Sequence, residues 1–160
     1  MALNEPGIYL LLVDSGSVYV GQSGLDTVGK RIVNTHACSI DSLWHTVVGF
    51  VAKTKTISSN ELLYIENAMC EYVHANYPKC LTSSPSKANC NAAYRKTHYK
   101  LNIGQIQSCD QYVEDIQYYI SCFPKGIFPQ KYQDPKVTPN NMEMFGFISA
   151  KRDSDGKAEI

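Results

Sequence analysis

Two short runs constrain this chain more than any other part of it: Gly7-Ile8-Tyr9-Leu10-Leu11-Leu12-Val13 and Ser17-Val18-Tyr19-Val20-Gly21. Both are apolar and rich in β-branched and aromatic residues, and each is too brief for a helix of ordinary length, so they read as buried strands. Asp14-Ser15-Gly16 between them supplies turn chemistry, with a glycine available for positive φ. Together they predict a β-hairpin. Tyr9 and Tyr19 then lie on paired strands, either as two aromatic core residues or with their phenols brought together on one face.

The elements that follow alternate in type. Gln22-Ser23-Gly24-Leu25-Asp26 leads into a helix whose apolar positions are Leu25, Val28, Ile32 and then Thr35 or His36. A third strand runs from Thr46 through Val51. Ser58 followed by Glu61 is a capping box, in which hydroxyl and carboxylate satisfy each other's free backbone donors. Leu62, Ile65, Met69, Tyr72 and Asn76 continue at helical spacing until Pro78 ends the helix. Residues 79–100 read as a loop with some short helical content. Ile103, Ile106, Cys109, Val113, Ile116, Ile120 and Phe123 then mark another amphipathic helix, stopped by Pro124.

This alternation predicts an α/β domain, a three-stranded sheet flanked by helices with an added C-terminal helix, over residues 1–128. A Pro-, Gln-, Asp- and Asn-rich linker follows over 129–143. Residues 144–160 read as a tail, a hairpin turning at Asp155-Gly156, or the start of a truncated second domain. At 160 residues, 44% of them hydrophobic and 19% charged, the composition is that of an ordinary folded protein and excludes the disordered class. No apolar run approaches the ~20 residues of a membrane helix, and the N-terminus lacks a signal pattern. The expectation is a cytoplasmic protein without a membrane partner.

Six cysteines (Cys38, Cys70, Cys80, Cys90, Cys109 and Cys122) are widely and almost regularly spaced. In a chain with no signal pattern they read as reduced thiols rather than a disulfide framework. A zinc site of Cys70, His74, Cys80 and Cys90 is the alternative, but no close cysteine pair supports it.

Formal net charge is zero, yet its distribution is uneven. No Asp or Glu occurs between Tyr72 and Cys109, while Lys79, Lys87, Arg95, Lys96 and Lys100 all do, interleaved with Tyr77, Tyr94 and Tyr99. Such a stretch suits phosphate neutralisation and base stacking, or else a solvated surface loop.

Glu66 is placed oddly for a carboxylate. Its helical neighbours Leu62, Leu63, Met69 and Cys70 are all apolar, whereas Glu61 and Glu71 stand beside polar residues. Desolvating a carboxylate is costly unless it is paired or binds a cation. Glu66 is therefore either the inner edge of an ion pair or a metal ligand. Arg31, taken alone, is a surface cation.

Taken in order, Gly7-Ile8-Tyr9, Tyr19-Val20-Gly21, Gly29-Lys30-Arg31 and Tyr64-Ile65-Glu66-Asn67-Ala68-Met69 resemble the GIY-YIG nuclease family. The family order is a hairpin with both tyrosines, a helix with an arginine, a third strand, and a helix carrying a glutamate. Trp44 with Val47-Val48-Gly49-Phe50-Val51, and the helix beyond Asp110, look like a bacterial subgroup of that family, extending the likeness over residues 6–128. The resemblance implies a divalent-metal-dependent endonuclease acting on DNA rather than RNA, with Mg²⁺ or Mn²⁺ as cofactor. In that scheme Glu66 holds the metal, and Tyr9 or Tyr19 deprotonates or positions the attacking water. Arg31 stabilises charge on the phosphate and leaving group. Lys30 and the basic residues Lys79, Lys87, Arg95, Lys96 and Lys100 bind the nucleic acid.

The sequence departs from the family at two places. One helical turn after Arg31 stands Thr35, with His36 one residue off and His45 as a further candidate. The family's asparagine beyond the glutamate has no aligned counterpart: Tyr77-Pro78 or Thr82-Ser83 fall there, with Asn76, Asn89 and Asn91 nearby. The alternative function is therefore a catalytically weakened nucleic-acid-binding module on the same scaffold. Double-strand cutting would need a homodimer or two successive nicks.

Overall fold

The hairpin forms, and the sheet grows outward from it. The computed structural model describes residues 4–13, 18–24, 26–32, 44–52, 56–76, 80–81, 89–121, 142–149, 151–152 and 158–159. Strand β1 (Ile8–Val13) pairs antiparallel with β2 (Val18–Gln22) on one side and with β3 (Trp44–Ala52) on the other. β4 (Cys80–Leu81) adds to β2 in parallel, and β5 (Met142–Ser149) adds antiparallel to β3. The order is β4-β2-β1-β3-β5.

β1 is apolar throughout because both of its faces are covered. On one face Ile8, Leu10, Leu12, Val18, Val20, Val48 and Phe50 form the larger core with two long helices, α2 (Ser59–Asn76) and α4 (Ile103–Ser121). Leu62, Ile65 and Met69 from α2 and Ile116 from α4 are fully buried in it. Each such side chain contributes about 1.5–3 kcal/mol relative to exposure. On the opposite face Tyr9, Leu11 and Val47 pack with Val28 and Ile32 of the short α1 segment (Val28–Arg31), and Tyr19 rests against them. Thr27 caps α1 by accepting the Lys30 backbone N–H.

The capping box forms as read. The Ser58 N–H donates to the Glu61 carboxylate at 2.9 Å, and the Glu61 N–H to the Ser58 hydroxyl at 3.4 Å. The Tyr64 phenol donates to Asp110 at 2.9 Å and ties α2 to α4. Within the stretch read as a loop, residues 92–98 form a helix, α3 (Ala92–His98), capped by the Asn91 side chain accepting from the Tyr94 N–H.

The predicted three strands are the middle of a wider sheet. β4 is two residues long and leaves no periodic trace in the sequence. Residues 144–149, expected in the tail or in a second domain, belong to β5 and pair with β3. The hairpin expected nearby is seen as β6 (Lys151–Arg152) paired with β7 (Ala158–Glu159). Most of the expected 129–143 linker lies outside the described residues, and residues 142 and 143 open β5. Among the described residues no helix is long and apolar enough to cross a membrane.

Candidate active site

The hairpin register decides where the two tyrosines go. Tyr9 pairs with Gly21 and Leu11 with Tyr19, so Tyr9 and Tyr19 are diagonal neighbours on one face. Their rings stack with centroids 6.3 Å apart and planes 27° from parallel. The Tyr9 ring lies over Gly21, where a Cβ would come within 2.5 Å of the phenol oxygen. A glycine at position 21 is what lets that ring cross to the neighbouring strand.

Arg31, the last residue of α1, is exposed on the same side of the sheet, and its guanidinium hydrogen-bonds the Tyr9 phenol. Burial is the main cause that raises the Tyr9 pKa far above the ordinary tyrosine value. The neighbouring Tyr19 and Glu66 add to the rise, and the charge and hydrogen bond of Arg31 oppose it. Tyr9 is thus held as a neutral phenol.

Glu66 comes from α2, on the other face, and meets this group at the end of β2. The geometry of the strand explains how. Ser23 N–H donates to the Gly7 carbonyl at 3.0 Å. Because antiparallel partners alternate in hydrogen bonding, the Gln22 N–H one residue earlier points away from β1, to the outer edge of β2. The described ladder with β4 covers only Val18 and Tyr19. The Glu66 carboxylate takes the Gln22 backbone N–H at this edge. Burial pushes the Glu66 carboxyl up to about 7, while the Arg31 guanidinium and the Gln22 N–H hold it from rising further.

Four of the residues singled out by sequence therefore come together: Tyr9, Tyr19, Arg31 and Glu66. The Arg31 charge acts on both Tyr9 and Glu66, and the Glu66 charge reaches Tyr9. A half-buried carboxylate with one N–H donor keeps lone pairs for a hard divalent cation that retains most of its own waters, while the nearby Arg31 charge opposes such a cation. Such a site needs only a single protein carboxylate. Among the described residues no three His, Cys, Asp or Glu side chains form a metal-holding group, so Cys70, His74 and Cys90 do not build the zinc site weighed from sequence. Cys70, Cys90 and Cys109 are buried, and the Cys109 thiol points to the Glu61 carbonyl at 4.0 Å.

The basic residues divide. Lys30, Lys96 and Lys100 are exposed, whereas Arg95 is turned inward. Its guanidinium pairs with Glu71, donates to the Asn67 amide oxygen at 3.4 Å and lies 5.3 Å from the centre of the Tyr64 ring. Asn67 in turn donates to the Asn89 carbonyl at 3.1 Å, which seats α3 on α2. Arg95 thus serves the packing of α3, not a surface phosphate contact, because its charge is already engaged. The expected His36, Lys79 and Lys87 lie outside the described residues. Sequence reasoning gives no role to Gln22 or Ser23, both central to the geometry. The one available signal is a small hydroxyl residue directly after the last residue of a strand.

Comparison with protein-family models, with curated proteins and with solved structures yields no match to this chain.

Proposed function

We propose that the chain is a divalent-metal-dependent endonuclease that hydrolyses DNA phosphodiester bonds, with Mg²⁺ or Mn²⁺ held by Glu66. The observation that carries this reading is the meeting of Glu66 with Tyr9, Tyr19 and Arg31, brought from both faces of the sheet to one end of the hairpin. A purely structural role for these residues would leave them dispersed.

The bound metal would supply Lewis-acid activation and charge neutralisation at the phosphate. The chain's own residues do the rest. Arg31, exposed and permanently charged, donates its planar fork to the phosphate oxygens as negative charge builds on them. Tyr9 stays protonated and acts through a directed hydrogen bond that orients the attacking water. Tyr19, partly exposed beside it, is the phenol more open to solvent. Lys30, Lys96 and Lys100 provide exposed positive charge for the flanking phosphates. Supercoiled-plasmid nicking with Mg²⁺ or Mn²⁺ tests the reading. The native protein should nick and Glu66→Gln should not, with binding retained.

One observation favours the second reading, a catalytically weakened binding module. Asn76 donates to the Tyr72 carbonyl at 2.8 Å and Asn91 caps α3, so two candidates for the family's missing asparagine already hold structural bonds. Binding without metal-dependent nicking across several DNA forms would establish that reading instead.

A further inference from the structure

The open end of the hairpin is tied more tightly than pairing of strands alone requires. Between Gly7 and Ser23 run three hydrogen bonds. The Ser23 N–H donates to the Gly7 carbonyl at 3.0 Å, the Gly7 N–H donates to the Ser23 hydroxyl at 2.7 Å, and that hydroxyl donates back to the Gly7 carbonyl at 3.3 Å. Ser23 is 4% exposed, so these bonds are sheltered from water. Gly7 is fixed from its other side too, since a Cβ there would run into the Phe50 carbonyl of β3. The end of β2 is thus bonded to Gly7, and β3 lies close against Gly7 on its far side.

This clamp stands one residue from the Gln22 N–H and two from Gly21, under the Tyr9 ring. Any slip of β2 here would turn the Gln22 N–H away from Glu66 and move the surface on which Tyr9 rests. We infer that Ser23 is a positioning residue, whose hydroxyl locks the hairpin end so that the Gln22 backbone N–H holds the Glu66 carboxylate in its working orientation. The inference rests on the nuclease reading only for its effect on cleavage; the clamp itself is independent of it.

The test uses Ser23→Ala and Ser23→Thr in the full chain, with amide hydrogen exchange followed by NMR and single-turnover plasmid nicking. Ser23→Ala should lower protection at Gln22 at least tenfold while the buried α4 amides of Val113 and Ile116 keep theirs. The maximal nicking rate should fall about tenfold at unchanged DNA affinity. Ser23→Thr, which keeps the hydroxyl, should restore both. Unchanged protection at Gln22, a parallel loss at Val113 and Ile116, or local loss with normal nicking would each overturn the inference. Local loss in a protein whose native form cuts no DNA would keep the clamp and remove the nuclease reading.

Discussion

The ring of Tyr9 lies over Gly21, its direct partner on the neighbouring strand, and no side chain at position 21 can coexist with it there. Gly21→Ala must therefore either push the ring off the sheet or distort the strand pair. Overpacking of this kind costs about 1–3 kcal/mol, which denaturant unfolding would measure as a lower midpoint at unchanged slope. The same displacement separates Tyr9 from Arg31, so nicking should fall more steeply than stability. A variant as stable as the native protein would mean that Tyr9 finds another rotamer without loss.

Much of this relationship is legible in the sequence, and the reasons are local. Strands β1 to β3 are short apolar runs, α2 announces itself through Ser58 and Glu61, and α4 through its apolar period. Glu66 stands out because its helical neighbours are apolar. What escapes is non-local or lacks period. β5 joins β3 across most of the chain, and no pattern in residues 142–149 names its partner. Arg95 reads as a surface cation because Asn67 and Glu71, which draw it inward, lie on another helix. Gln22 acts through its backbone, which no side-chain pattern reveals.

Glu66 gives a stability effect with a definite sign. Its carboxyl is raised from 4.5 to about 7 by burial. Between those values the unfolded chain releases the proton while the folded chain keeps it, so the native state loses stability as pH rises. Glu66→Gln has no such proton to lose. The variant should match the native protein near pH 4 and gain on it through pH 7, by about 2 kcal/mol once solvent screening is allowed for. Thermal unfolding at several pH values without divalent metal checks this. An equal difference at every pH would show that the carboxyl ionises normally in the fold.

Added Mn²⁺ should reverse that order. Ligand bound only to the folded state stabilises it by mass action, about 2.7 kcal/mol at a hundredfold excess over Kd. At pH 8 the native protein should therefore rise in Tm with Mn²⁺ while Glu66→Gln stays level. An equal rise in both would place the metal elsewhere.

Arg31 serves two neighbours at once, since its charge acts on both Tyr9 and Glu66. Arg31→Ala should slow nicking by roughly a hundredfold, the usual loss of a donor that stabilises developing charge. Arg31→Lys keeps the charge but not the fork, and should recover only part of the rate. Full recovery by lysine, in single-turnover nicking, would reduce the role of Arg31 to simple charge.

The basic residues near α3 separate into packing and binding roles, and one pair of experiments distinguishes them. Arg95 is buried against Glu71 and Asn67, with Glu71 itself 42% exposed. Removing the arginine strips Glu71 and Asn67 of their partner, but the exposed carboxylate is rescued by water. Arg95→Ala should then destabilise the protein by about 2–3 kcal/mol, below the full loss for a buried pair. Lys96 and Lys100 are exposed, so replacing both by alanine should leave stability within about 0.5 kcal/mol. On DNA the order inverts. Each phosphate contact contributes about 0.9 to the slope of log K against log salt. The double lysine variant should flatten that slope by nearly 2, and Arg95→Ala should leave it unchanged when measured well below its unfolding transition. A flattened slope in Arg95→Ala at native-like stability would show that its guanidinium turns outward to meet the nucleic acid.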